Sequence, residues 1–293
     1  MKLLKYALSV CLLYACQGTP AKSELDSKAE LPAPLSEISG AIADGKDLWV
    51  ITDKPKAVLY KIDVKGKILQ TVTIKNQQAS DVEAVTADSN FLYLGDTGDN
   101  DGNRDQRQII KVSKTAISQD QNAQTDGEAI IFRFPEQQVS NKKKKNNYDC
   151  ESLLSFGDSL YVFTKRRQDL QTELFSIPKT PGDHVAHSLG VFDTKGLITD
   201  AAVNSQQNEV ALVGYTKGHK FPFILLLKNF QGSNFFSGKV ERIELADDSW
   251  DWQMESIAYN NDEIYFACEE TKQVKATLYA IKRNKLEKIN KKK

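Results

Sequence analysis

The chain has 293 residues and equal numbers of basic and acidic side chains, 39 of each. That length fits one large domain or two small ones, and the balanced charge leaves no electrostatic footprint for nucleic acid. Four cysteines, two of them among the first sixteen residues, exclude a disulfide framework, and Cys150 and Cys268 read as two buried thiols inside strand patterns.

Lys2 and Lys5 open the sequence and Tyr6 to Leu13 follow as a mostly apolar run, too short to span a bilayer. The next residues, "LYAC", resemble the lipobox of bacterial lipoproteins. The resemblance implies that residues 1–15 are a signal peptide and that Cys16 is the acylated first residue of the mature chain. It also implies a bacterial envelope, and Gln17 after the cysteine points to the outer membrane, periplasmic or surface-facing. An ordinary signal peptide cut nearby is the alternative. Loss of Lys2 and Lys5 leaves 37 basic against 39 acidic residues, a net charge near −2. Residues 16–34 are polar, Pro-containing and aperiodic, so they are expected to form a flexible tether to a membrane-held lipid.

From residue 35 to 293 strand patterns dominate: "DLWVITD", "VLYKIDV", "ILQTVTI", "FLYLGD", "SLYVFT", "TELFSI", "EVALVGY", "EIYFAC" and "TLYAI". One interval organises them. Ser39 lies ten residues before Trp49, Glu83 ten before Tyr93, Glu151 ten before Tyr161, Asp200 ten before Val210, and Glu255 ten before Tyr265. A small residue follows each reference position (Gly40, Ala84, Ser152, Ala201, Ser256), and a polar turn separates the two ends of each interval. The reference positions are spaced 44, 68, 49 and 55 residues apart. Four strands in roughly 40–50 residues make one β-propeller blade, and the longest spacing carries polar loops together with the basic run Lys142–Lys145, read as solvated. The fold class is all-β, a β-propeller of five recognisable four-stranded blades. Six stay open if a divergent blade hides in an insertion or is shared between the termini.

"LSEISGAIAD", "DVEAVTADSNFLYLGDTGDN" and "YDCESLLSFGDSLYVFTK" resemble the blade openings of the SdiA-regulated family of bacterial propeller proteins, over nearly the whole mature chain. The resemblance implies a propeller of the cell envelope and defines a fold more than a reaction. Asp200, with Ile198 two residues earlier, departs from the acidic openings of the other blades.

First strands of propeller blades line a central channel, so residues at one repeat position are expected at one height around the axis. Glu83, Glu151, Asp200 and Glu255 would form a ring completed by Ser39, with Glu37, Asp81 and Asp149 as a second acidic tier beside Gln253. At about 7 Å and an effective dielectric of about 20, each like-charge pair costs roughly 2 kcal/mol. The ring is therefore expected to take up protons, accept backbone N–H groups as a staple between blades, or bind a cation. Oxygen-only ligands favour Ca²⁺ or Mg²⁺, and Ca²⁺ is the cofactor expected. Lys165 and Trp252 are candidate ligand-binding residues, the first for an anion, the second, or Trp250, as a lining of the channel mouth. His184 and His187 read as surface residues, and "DNDGNRD" (Asp99–Asp105) as a polar hairpin loop rather than an EF-hand. With no motif for a nucleophile and base, the leading reading is a lipid-anchored, non-enzymatic propeller that binds a small molecule or a protein. The alternative is a metal-dependent hydrolase of phosphoesters or lactones that uses the channel carboxylates.

Overall fold

The computed structural model describes residues 25–137, 146–204, 206, 208–216, 218–245 and 251–289. Cys16, Lys142–Lys145 and Trp250 lie outside the described residues. The first strand, β1 (Asp26–Glu30), belongs to the last blade. Blade 1 is built from β2 (Ile38–Asp44), β3 (Asp47–Thr52), β4 (Val58–Ile62) and β5 (Ile68–Ile74). Blade 2 follows with β6 (Val82–Ala87), β7 (Phe91–Asp96), β8 (Arg107–Ser113) and, after a strap strand β9 (Asn122–Thr125), β10 (Glu128–Arg133). Blade 3 contains β11 (Cys150–Phe156), β12 (Ser159–Thr164), β13 (Thr172–Pro178) and, after a second strap β14 (Gly182–Val185), β15 (His187–Phe192). Blade 4 is β16 (Leu197–Asn204), β17 (Glu209–Thr216), β18 (Lys220–Lys228) and β19 (Lys239–Glu244). Blade 5 is β20 (Met254–Asn260), β21 (Glu263–Cys268) and β22 (Thr277–Lys282), and a helix α1 (Arg283–Ile289) follows it.

The inner strands β2, β6, β11, β16 and β20 lie side by side, and β20 returns to β2, so the five sheets close into a five-bladed propeller. Second strands such as "DLWVIT" are buried along their whole length because both faces meet a neighbouring blade. The core is accordingly divided into five apolar layers, each between successive blades, including the one that joins blade 5 to blade 1 through Ile38, Val50, Tyr265 and Leu278. Trp49, Tyr93, Tyr161 and Tyr265 all sit in these layers. Gly45 and Gly157, with φ of 63° and 54°, occupy two-residue turns between the first and second strands, where a left-handed backbone is required.

Closure of the ring corrects the expected tether. β1 pairs antiparallel with β22, Asp26 opposite Ala280 and Glu30 opposite Thr277, and supplies the fourth strand of blade 5. Its own side chains are mostly exposed, so no apolar pattern announces it. The folded domain thus begins ahead of residue 35. Cys150 and Cys268 are free and buried.

Candidate functional site

Each inner strand carries a β-bulge at its opening, and the bulge fixes the repeat register. The unpaired residue is Ser39 in blade 1, Glu83 in blade 2, Thr199 in blade 4 and Glu255 in blade 5, while in blade 3 the bulge spans Glu151 and Ser152. Two hydrogen bonds confirm the alignment of Thr199 with Ser39. Ser39 Oγ donates to Val82 O at 3.1 Å and Thr199 Oγ1 donates to Met254 O at 2.6 Å, in each case to the carbonyl just before the next blade's reference residue. The reference ring is Ser39, Glu83, Glu151, Thr199 and Glu255, with three carboxylates rather than four.

Asp200 is therefore one residue away from its expected place, on the other side of the strand. The hairpin between β16 and β17 is longer, so the residue equivalent to Trp49 is Ala211, twelve positions after Thr199, and the ten-residue interval from Asp200 to Val210 misses by one at both ends. Asp200 takes the small-residue position instead of Ala201. There its carboxylate accepts the N–H of Ala201 and of Ile257, both at 2.8 Å, and that of Ala41. Burial pushes its carboxyl well above the usual carboxylate range against the pull of those three donors. It joins β16, β20 and β2, and so acts as a staple between blades, one of the three roles considered for the ring.

One turn above the ring, the second strands deliver another set of residues to the same mouth. The N–H groups of Asp53, Lys165 and Glu269 donate to the carbonyls of Glu37, Asp149 and Gln253 at 2.8, 2.7 and 3.1 Å. Strand register places Thr97 and Tyr215 at the corresponding positions of blades 2 and 4. Sequence reasoning found Lys165 here and missed Asp53, Tyr215 and Glu269. Their signal is the residue at the end of each second strand, Asp53 and Glu269 just after it and Tyr215 one residue before its end, hidden because the five blades hold Asp, Thr, Lys, Tyr and Glu there.

The carboxylates fall into neutralised and unneutralised groups. Glu151 pairs with Lys165 and with Arg167, the latter at 3.5 Å. Asp149 receives Arg167 at 2.6 Å and the Asp99 N–H at 2.8 Å. Glu37 meets Lys54 at 3.3 Å. Lys165 is 1% exposed and turned inward onto Glu151, so its ammonium serves the ring itself. By contrast, among the described residues no Lys or Arg forms an ion pair with Glu83. Burial, then the charges of Glu151, Asp53 and Asp81, hold the Glu83 carboxyl well above its ordinary value. Burial, then Asp53 and Asp149, raises Asp81 to about 7, and burial, then Glu151, raises Glu269 to about 8. Oxygen atoms of Asp53, Asp81 and Glu83 all lie within 4.8 Å of one another. Gly98 makes the room: a Cβ on it would stand 2.3 Å from Asp81 Oδ2 and 2.8 Å from Glu83 Cγ.

The remaining candidates sit elsewhere. Trp252 is buried between blades 4 and 5 with its ring stacked 4.2 Å from that of Tyr279. His184 and His187 lie on the outer strands β14 and β15. Asp99 is neutralised by the buried Arg107 at 2.7 Å, and accepts the Asn146 side-chain N–H at 2.8 Å and the backbone N–H groups of Asn103 and Arg104, which makes "DNDGNRD" a polar loop. His219, absent from the sequence reading, stacks on Tyr215 with ring centres 4.8 Å apart. The opposite mouth is a small cleft of about 160 Å³ whose lining includes Ala41, Ala87, Ala202 and Ala258.

No family model matches the chain, and no curated protein sequence does. Among solved structures, the PQQ-bound aldose sugar dehydrogenase of Streptomyces coelicolor is similar at 14% identity and a TM-score of 0.48, over 89% of this chain and 99% of that one. The hydrazine synthase of Kuenenia stuttgartiensis gives 10% identity and a TM-score of 0.41, over 93% and 85%. A GH43 β-1,3-galactosidase gives 9% and 0.43, over 66% and 42%. At these values none carries an argument about chemistry, and the ring of five blades rests on this chain's own strand pairing.

Proposed function

We propose that the chain is a non-enzymatic binding propeller of a bacterial envelope, held to the membrane by a lipid on Cys16, whose acidic channel mouth takes a divalent cation and through it a ligand. The observation that carries the cation is the cluster of Asp53, Asp81 and Glu83, in which no Lys or Arg forms an ion pair among the described residues, set apart from Glu151 and Asp149, which have such partners. Three carboxylates with no nitrogen or sulfur donor suit a hard cation, and calcium tolerates such an open, irregular shell better than magnesium does. A calcium ion held at a channel mouth keeps coordination positions for an oxygen-bearing small molecule or an acidic side chain of a partner protein. The lipid rests on "LYAC" and the polar residues after it.

A ligand that binds only the folded state raises its melting temperature by mass action. Chelator-stripped protein is expected to melt higher in calcium than in its absence, and Asp81→Asn with Glu83→Gln to remove the response. A wild type whose melting curve ignores calcium and magnesium would overturn the cation. Cys16→Ala is expected to abolish fatty-acid labelling and release the protein from membranes, and an unlabelled wild type that still fractionates with membranes would remove the lipid from the proposal.

A further inference from the structure

Each blade ends on an outer strand, and an exposed sheet edge recruits further strands unless it is short, charged or covered. Among the described residues the five sheets end on β9, β14, β15, β19 and β1. β9 and β14 are only four residues long. β19 carries Lys239, Glu241, Arg242 and Glu244 and has α1 packed on it, while β1 carries Asp26, Lys28 and Glu30. β15 differs from all four: its six residues, His187–Phe192, include no Lys, Arg, Asp or Glu.

Apolar exposure gathers at the same place. The large hydrophobic side chains left exposed among the described residues are Val185, Leu189, Val191 and Phe221, at 51, 39, 49 and 57%, and the first three lie on β14 and β15. In blades 1 and 2 a strap from the following blade covers the fourth strand. That run of straps stops at blade 3. The matching connection of blade 4, residues 229–238, packs Phe235 against Tyr161 and Phe163 and stacks Phe236 on Phe192 with ring centres 4.2 Å apart, and β15 stays the last strand of its sheet.

We propose that β15 is the contact between two copies of this chain, paired antiparallel with its counterpart about a two-fold axis. A strand paired with itself doubles whatever charge it carries, and β15 carries none. With the axis between Leu189 and Gly190, His187 stands opposite Phe192, Ser188 opposite Val191 and Leu189 opposite Gly190. A Cβ on Gly190 would meet no atom within 4 Å, so the glycine leaves open the space that Leu189 fills from across the axis. Leu189 is also the extra residue of a bulge against Leu174 and Phe175. Bulges turn an edge away from long partners, which keeps this contact to a short strand. Six residues a side are few beside the roughly 1,600 Å² of a standard interface, so the dimer is expected to form reversibly with concentration.

Sedimentation equilibrium over micromolar concentrations tests the proposal, with the full-length chain carrying Cys16→Ala so that no lipid or micelle holds copies together. The chain is expected to pass from monomer to dimer and no further. Leu189→Lys and Val191→Lys, both at exposed positions, are each expected to weaken dimerisation at least tenfold while the dilute monomer melts as before. Phe221→Lys, at an apolar residue exposed on blade 4, is expected to dimerise like the parent chain. A parent chain that is monomeric at every concentration overturns the proposal and leaves the edge to a strand of another protein. Dimers that survive both lysines at β15, dimers lost equally in Phe221→Lys, or association that continues past the dimer overturn it as well.

Discussion

Asp200 shows how much one residue of register matters at the axis. Inner strands of a propeller present an unpaired edge to the channel, and their N–H and C=O groups need partners there. Ser39 and Thr199 serve carbonyls through their hydroxyls, whereas Asp200 serves N–H groups on three strands at once. Asparagine has nearly the same shape but sets an NH₂ against one of those donors, so Asp200→Asn is expected to cost about 1–3 kcal/mol in a denaturant melt. Ser39→Ala loses a single bond and is expected to cost about 1 kcal/mol or less. The calcium response of Asp200→Asn is expected to match wild type, since its carboxylate faces backbone rather than the mouth. A response lost along with the carboxylate would return Asp200 to the metal ligands.

At the scale of elements, the repeat was legible wherever the two ends of a hairpin kept their spacing. Blades 1, 2, 3 and 5 pair their inner and second strands as the interval predicts, Ile42 with Trp49, Thr86 with Tyr93, Leu154 with Tyr161 and Ala258 with Tyr265. Blade 4 was illegible in register because its longer turn adds residues symmetrically, which keeps the apolar alternation intact while moving the acid to the wrong face. β1 was invisible for a different reason. It is an outer strand held by backbone pairing to β22, with exposed side chains, and such a strand has no reason to carry an apolar stripe. The straps β9 and β14 are hidden in the same way: each leaves its own blade and runs parallel to the outer strand of the preceding one, a pairing that no local pattern encodes. Of the site, the glutamates of the first strands were readable because they repeat. Asp53, Tyr215 and Glu269 were not, because the second-strand exits hold a different residue type in every blade.

Taken as a whole, the molecule is a closed ring with one small mouth lined by alanines and the other crowded with carboxylates. Crowding ties stability to pH, and the sign follows from the raised carboxyls. Asp81 and Glu269 titrate at about 7 and about 8 in the folded chain, against ordinary values of 3.8 and 4.5. Between those limits the folded state holds protons that the unfolded state has released, so stability is fully present below about pH 4 for these groups and is lost as pH rises through 7 to 8. Each group contributes a slope of about 1.4 kcal/mol per pH unit while only its unfolded form is ionised. Chelator-stripped protein is therefore expected to melt at a lower temperature at pH 8 than at pH 5.5, and Asp81→Asn to flatten part of that decline. A divalent cation competes with the same protons, so calcium is expected to restore the pH 8 melting temperature and to do little at pH 5.5. Melts across that range, with and without calcium, separate the two ways of neutralising the mouth. A metal-free profile that is flat between pH 5.5 and 8 would mean that the mouth carboxylates stay ionised throughout, and the crowding of Asp53, Asp81 and Glu83 would then be relieved by solvent rather than by protons or an ion.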